Sequence, residues 1–495
     1  MTTTPLTAVD PAAVLCDALA ALDTPRAGQM LTAVEQALRK VPGDFRLWHV
    51  HGLILRQLDR RELAITSLER AAKLAPSVPI IAHGLARTRC EAGVPSVDAY
   101  GRALQLAPGD PAIMAGMTSA LFAAGDGDAA IRGLEQVVGR SPSWIEGHKL
   151  LGDLRWMNGE REGFTRSYDD ALKLHPDNYG LRREQILALV HAEHWETLLA
   201  AIADGRGAIG DQPLFAVNEA VCTAELGETE RADRLFKPFA DLDDAGVQVR
   251  IVRNLLRSGR ADDAVVVIDR WLERDGATGF WPYASLAWRL TGDPRWQWLE
   301  GDDRFVGVYD IADRLPPLDR LAATLRALHK ARGQPLEQSV RGGTQTDGNL
   351  FMHIDPLIVA TREAVRSVVT DHVAHLPGHD PRHPWLRSPR APIDFSGAWS
   401  VRLRAGGNHS NHVHPLGWIS SALYVALPPD LGQGEAGWLT IGEPQAQLGL
   451  DLAPLRTIEP RPGRLVLFPS TMWHGTRPFR DGERLTVAFD VAVPQ

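Results

Sequence analysis

Cysteine is nearly absent. The 495 residues hold three, Cys16, Cys90 and Cys222, far apart, odd in number and without a CxxC spacing. That pattern gives neither a disulfide framework nor a thiolate zinc site. Free, mostly buried thiols suit a reducing compartment. Basic excess is also missing: 53 Lys and Arg stand against 61 Asp and Glu, a formal charge of −8. No global positive field pulls such a chain onto nucleic acid, and no polybasic stretch reads as a membrane anchor. There is no uninterrupted run of 18 apolar residues, so no membrane span is expected. The opening "MTTTPLTAVDPAAVLCDALAALDTP" has no basic stretch before its apolar one, and Asp10, Asp17 and Asp23 interrupt it. It reads as a first helix or helix pair rather than a secretion signal. These absences predict a cytoplasmic protein, and the length asks for two or three domains.

What is present is a repeat. Prolines recur at Pro42, Pro76, Pro108, Pro142 and Pro176, spaced by 34, 32, 34 and 34 residues. Each follows an apolar stretch such as "AAKLAP" or "ALQLAP". Out of phase with them, Gly93, Gly125, Gly159, Gly227, Gly259 and Gly292 sit in short polar turns. One turn of that series has no glycine; the period places it near Glu193, in "HAEHWE". Two turn marks in each period of about 34 residues mean two helices per repeat. Proline ends the second helix, and glycine closes the first in a left-handed conformation. Between the marks, apolar residues such as Ala64, Leu68, Ala71 and Ala72 recur at helical spacing. After about residue 180 the proline mark is lost, and the turn glycines alone carry the pattern. Residues 10–300 thus resemble the tetratricopeptide repeat family, with Gly52, Gly84, Gly116 and Gly152 at its small positions. The resemblance implies an all-α solenoid whose concave face binds an extended peptide or partner protein; a rigid spacer or dimerisation platform is the alternative.

Past residue 300 the marks stop. "PPLDRLAATLRALHKARG" (316–333) reads as a helix, so 301–334 is expected to be a helical linker. "QPLEQSVRGGTQTDGNLF" reads as a loop, "DPLIVATREAVRSVVTDHVAHL" as a helix, and "GHDPRHPWLRSPRAP" as a proline-rich loop. Apolar–polar alternation then predicts strands over 398–405, 418–428, 437–443, 463–470 and 484–493. That number of strands and turns suggests a β-sandwich or double-sheet jelly roll.

Three histidines crowd the stretch "NHSNHVHPLGW" (408–418). On an extended backbone His412 and His414 face one way, with Val413 opposite, and His409 does not share that face. Imidazole is a common ligand for iron and zinc. A third ligand is offered by His474, just beyond the apolar strand of "GRLVLFPSTMWHG". Ten residues on, Arg484 opens the final strand with a guanidinium suited to a carboxylate. His353, His372, His375, His379 and His383 read as structural or surface residues, and His409 as a loop residue or a donor beside the site.

The order H-x-H, then "LVLFPSTMWH", then "RLTVAFD" resembles the iron(II)- and 2-oxoglutarate-dependent oxygenases. It is most similar to a bacterial group of them often joined to tetratricopeptide repeats, which also carries stretches like "QSVRGGTQT" and "HPLGWISSALYV". The resemblance covers residues 335–495. It implies a double-stranded β-helix with flanking helices, holding Fe(II) on His412 and His474; His414 is expected as the third ligand, the alternative being that water or another group takes its place. Arg484 would pair the remote carboxylate of 2-oxoglutarate, with Thr486 or Tyr424 bonding the same group, and Gln345 and Thr346 would line the pocket. Dioxygen would be the oxidant, and the outcome hydroxylation of a peptide or protein side chain docked on the repeats, or of a small molecule. One position departs from the superfamily: a carboxylate usually stands two residues after the first histidine, and here it is His414. Two alternatives therefore stay open. One is a scaffold with a degenerate β-domain; the other is a cosubstrate-free dioxygenase with three histidine ligands.

Overall fold

The computed structural model describes residues 10–274 and 276–494. As far as residue 300 it is built of helices, and their ends fall on the sequence marks. The helices Ala27–Lys40, Arg61–Leu74, Val97–Leu106, Gly127–Arg140 and Arg166–Leu174 each stop two residues before a period proline. The residue before a proline is pushed out of helical conformation, so the helix ends there. All six turn glycines take positive φ, between 69° and 97°. Where the glycine is missing, Glu193 itself takes the left-handed position at φ 57°. The pairing continues without the proline mark, from Tyr179–His191 and Trp195–Ile209 through to Trp281–Thr291 and Arg295–Glu300.

A β-carbon in the left-handed region costs about 1–2 kcal/mol. Glu193→Gly is therefore expected to raise stability by up to ~1 kcal/mol, once the extra freedom of glycine in the unfolded chain is subtracted. The ion pair it removes, to Arg341 at 3.5 Å, is half-exposed and contributes little. A urea midpoint below that of the parent protein would refute this.

The chain divides into two compact units, residues 1–134 with 348–359, and 135–347 with 360–495. In the first, Leu15, Val34, Leu47, Val50 and Ile54 form one helical core, and Ala86, Tyr100, Ala103 and Ile113 another. The segment 348–359 joins it through Ile354, whose N–H donates to the Ala92 carbonyl at 3.1 Å.

The second unit holds later repeats and, among the described residues, all the strands. These are β1 (Gly307–Asp310), β2 (Val340–Gln345), β3 (Phe395–His409), β4 (Ile419–Ala426), β5 (Leu439–Ile441), β6 (Arg456–Ile458), β7 (Arg464–Pro469), β8 (His474–Thr476) and β9 (Glu483–Val491). Six form an antiparallel sheet in the order β1-β7-β4-β9-β3-β2, and three a small sheet, β6-β5-β8. Tyr424, Val466 and Phe468 of the large sheet share a core with Leu439, Ile441 and Ile458 of the small one.

Each of the five stretches read as strands overlaps one, and helices form at Leu318–Leu328 and Pro356–His375. Two stretches differ from expectation. "SVRGGTQ", read as loop, contains the edge strand β2. Its glycines hide the alternation, and one is required: a β-carbon on Gly343 would sit 2.5 Å from the Arg402 carbonyl oxygen. Within 301–334, Gly307–Asp310 adds β1 to the edge of the large sheet, against β7.

The last repeat helices are continuous with the β-region. Val252, Leu255, Leu256, Phe280, Trp281 and Trp288 form one hydrophobic core with Leu448 and Trp473, and Val413 packs against it. The Trp473 indole N–H donates to the Pro282 carbonyl at 2.9 Å. Arg253 donates to the Gln445 side chain at 2.6 Å, and Arg257 to the Gln447 carbonyl at 2.9 Å. Val413 and Trp473 are the chain neighbours of three histidines, so this core bears directly on where those histidines sit.

Candidate metal centre

His412 and His474 are locked together by backbone. Each donates its N–H to the other's carbonyl, at 2.9 and 3.0 Å, in an isolated antiparallel bridge. The bridge is close because Gly475 follows: a β-carbon there would meet the Asn411 side-chain oxygen at 1.9 Å. His414, two residues on, is set by its N–H donating to the Ser470 carbonyl at 2.8 Å. The outcome is a triad. Ligand nitrogens of His412, His414 and His474 all lie within 4.8 Å of one another. Their ring centroids are 4.2, 5.0 and 5.2 Å apart.

In each ring one nitrogen is already engaged. Nδ1 of His412 faces the Ser410 carbonyl at 2.9 Å, and Nδ1 of His474 the Met472 carbonyl at 2.9 Å. A carbonyl only accepts, so both Nδ1 atoms carry hydrogen and both Nε2 atoms carry the lone pair. His414 differs: its Nδ1 lies 2.6 Å from Asp490 Oδ2. Burial, then the neighbouring imidazoles, holds His412 and His474 well below the ordinary histidine range. They are neutral at pH 7, the form that binds metal.

His409 is brought close but stands apart from the triad. Its Nδ1 meets the Ser339 hydroxyl at 2.9 Å, and that hydroxyl also lies 3.1 Å from His412 Nε2. Burial first, then the Arg484 charge, pushes His409 down to about 3.

The triad lies in a small chamber of about 50 Å³ lined from both sheets. Strand β9 contributes every second residue, Arg484, Thr486, Ala488 and Asp490, as a strand's alternation requires. Arg484 is buried, yet among the described residues no acid pairs with it. Its Nη1 donates to the Gly437 carbonyl at 2.9 Å, and its Nε has no partner. Burial lowers its pKa from the ordinary arginine value. Thr486 lines the same chamber. Tyr424 lies in the core behind, with the Arg484 guanidinium 5.0 Å from its ring centroid and its own hydroxyl unpartnered. Gln345 lines the chamber with an unpartnered side-chain oxygen. Thr346 instead ties β-strands together, its hydroxyl accepting from the Ser400 N–H at 2.9 Å.

Above the chamber opens a wider cleft of about 670 Å³. His412, His414 and Trp399 line one wall. Trp195, Arg250, Arg253 and Tyr283 of the repeat helices line the other. Sequence reasoning did not assign Asp490 or Ser339 to the site, nor this wall. Only Asp490 left a signal: it shares the strand face of Arg484.

The comparisons with known proteins divide along the same line. Residues 397–490 match a family model described as "Putative 2OG-Fe(II) oxygenase". Residues 97–154 match one described as "Tetratricopeptide repeat". The chain is thus similar to tetratricopeptide repeats over one stretch and to a putative 2OG-Fe(II) oxygenase family over another. Solved structures similar to this chain include MamA 41-end from Desulfovibrio magneticus RS-1, at 15% identity over 34% of this chain and 98% of that one, with a TM-score of 0.31. YrrB, titled a TPR protein with an unusual peptide-binding site, is similar at 14% identity over 37% and 96%, with a TM-score of 0.27. An O-GlcNAc transferase from Thermobaculum terrenum is similar at 24% identity over 28% and 27%, with a TM-score of 0.25. A search of curated proteins finds no match. Among the described residues no helix is long and apolar enough to cross a membrane.

Proposed function

We propose that this repeat–oxygenase chain is a 2-oxoglutarate- and Fe(II)-dependent dioxygenase that hydroxylates a peptide or protein side chain. The carrying observation is the pairing of two features in one chamber. Three histidine nitrogens converge within 4.8 Å, and a buried guanidinium with no anionic partner among the described residues lines the same space. Burying such an arginine is costly, and an anion that comes to it offsets the cost. A dicarboxylate with one end at the metal and the other at Arg484 meets both needs. The arrangement of a large and a small sheet around the chamber supports a double-stranded β-helix, with residues 335–495 as the catalytic domain.

His412, His414 and His474 would hold iron, and Arg484 with Thr486 would hold the remote carboxylate. Bound iron with 2-oxoglutarate and dioxygen supplies oxidative decarboxylation coupled to C–H hydroxylation. The chain's own residues do the rest. Ser410 and Met472 fix two ring tautomers through their carbonyls. Phe468, with its ring centroid 4.6 Å from that of His474, keeps one side of the chamber dry. The cleft gives a substrate its approach, and because repeat helices form one wall, a bound peptide would meet repeats and catalytic domain together.

The test is anaerobic. Metal-free protein given Fe(II) and 2-oxoglutarate is expected to develop the visible charge-transfer band of the chelated complex, and His412→Ala to abolish it. Bound iron without a band would favour the cosubstrate-free dioxygenase, a reading the all-histidine donor set supports and Arg484 opposes. Failure to bind iron at all would leave a scaffold.

A further inference from the structure

Three imidazole ligands bring a metal none of the negative charge that a carboxylate ligand normally brings. We propose that Asp490 restores that charge from one hydrogen bond away, acting through His414 as a positioning residue. The inference rests on the metal-site reading above and concerns how this chain completes it.

The three histidines are not equivalent. Two set their Nδ1 hydrogens on neutral backbone carbonyls, and His414 alone sets its own on a carboxylate, at 2.6 Å. Asp490 is held for this task. Its second oxygen, Oδ1, accepts from the Ser420 hydroxyl at 2.6 Å, and Ser420 is fixed in turn by the Ser470 hydroxyl at 2.9 Å. Among the described residues no Lys or Arg pairs with Asp490; its only ion-pair partner is His414. Among the described residues, neither Asp490 nor Arg484 meets a fixed opposite charge in this largely buried site. Uncompensated charges in such a place are costly, so each favours a charged partner that binds there. A divalent cation, a dianionic cosubstrate, Arg484 and Asp490 together sum to no net charge. A carboxylate ligand in the triad would give the same sum; here the carboxylate is moved outward by one imidazole. Carboxylates that bond a metal-bound histidine make the ring a stronger donor and fix its tautomer.

Asp490→Asn tests the charge alone, because the amide oxygen can still accept from His414. Co(II) binding to metal-free protein is read by absorbance, and the Fe(III)/Fe(II) midpoint potential by anaerobic titration. In Asp490→Asn, Co(II) affinity is expected to fall by about 10- to 100-fold and the potential to rise. Asp490→Glu should recover most of both. A purely structural aspartate would change thermal stability without moving the potential. If Asp490→Asn does not fold, Asp490→Ser reads the same two quantities. Wild-type affinity and potential in the neutral variant would overturn the inference alone. A wild-type protein that binds no Co(II) would overturn the metal site, and this inference with it.

Discussion

Replacing Arg484 with methionine is expected to leave metal binding in place while 2-oxoglutarate affinity falls roughly 150- to 5,000-fold. That is the scale for removing one partner of a buried charge pair, about 3–5 kcal/mol. The same change should make the cofactor-free protein more stable. In that state the guanidinium is buried with one neutral acceptor, Gly437, and an idle Nε. An apolar side chain of similar length removes the cost of desolvating that charge, a gain of roughly 1–4 kcal/mol by analogy with buried ion pairs replaced by apolar groups. Two readouts should therefore move in opposite directions. The cofactor-free melting midpoint rises, and the upward shift produced by 2-oxoglutarate disappears. An arginine with only a structural role would lower the midpoint on replacement. Unchanged 2-oxoglutarate affinity in Arg484→Met would remove the anion-binding role altogether.

The contrast between Arg484 and Asp490 shows what a sequence discloses about such a site. Both stand on one face of β9, and both fall in the run "RLTVAFD". Arg484 was legible because its spacing from His474 fits a recurring order of motifs. Asp490 was not, because its meaning depends on His414, 76 residues earlier, which reaches it only when β4 pairs β9. The triad itself was readable from H-x-H and a histidine past an apolar strand. The bridge that joins His412 to His474 was not, since it is made by backbone. In the repeats the marks were unusually clear because proline and glycine act locally. Even the gap at Glu193 was placed by period alone, although nothing local announces a glutamate with positive φ. The same marks say where helices turn and nothing about what they face. The cleft wall formed by Trp195, Arg250 and Tyr283 was therefore invisible.

That wall leads to the other large effect. A fragment starting at residue 335, where the oxygenase resemblance begins, is expected neither to melt cooperatively nor to bind Co(II). It would lose β1 from the edge of the large sheet and strip the helical partners from Trp473 and Val413. Trp473 is 2% exposed, and its indole N–H is committed to Pro282. Its neighbour in sequence is His474, so movement of this side chain moves a proposed ligand. The single substitution Trp473→Ala in the full chain should cost about 3–5 kcal/mol, the usual range for a buried tryptophan. Metal affinity should drop with it, because a cavity beside His474 loosens the triad that Asn411 and Gly475 hold close. The two experiments separate stability from geometry. If Trp473→Ala lowers the melting midpoint but keeps full Co(II) affinity, the bridge between His412 and His474 is self-sufficient and the helices serve only as cover. If the fragment melts cooperatively and binds Co(II), the repeats are a docking arm and no part of the catalytic core. Loss of metal binding in both would mean that the helices after residue 245 support the oxygenase site itself, and that the functional boundary in this chain lies upstream of the place where its repeat marks stop.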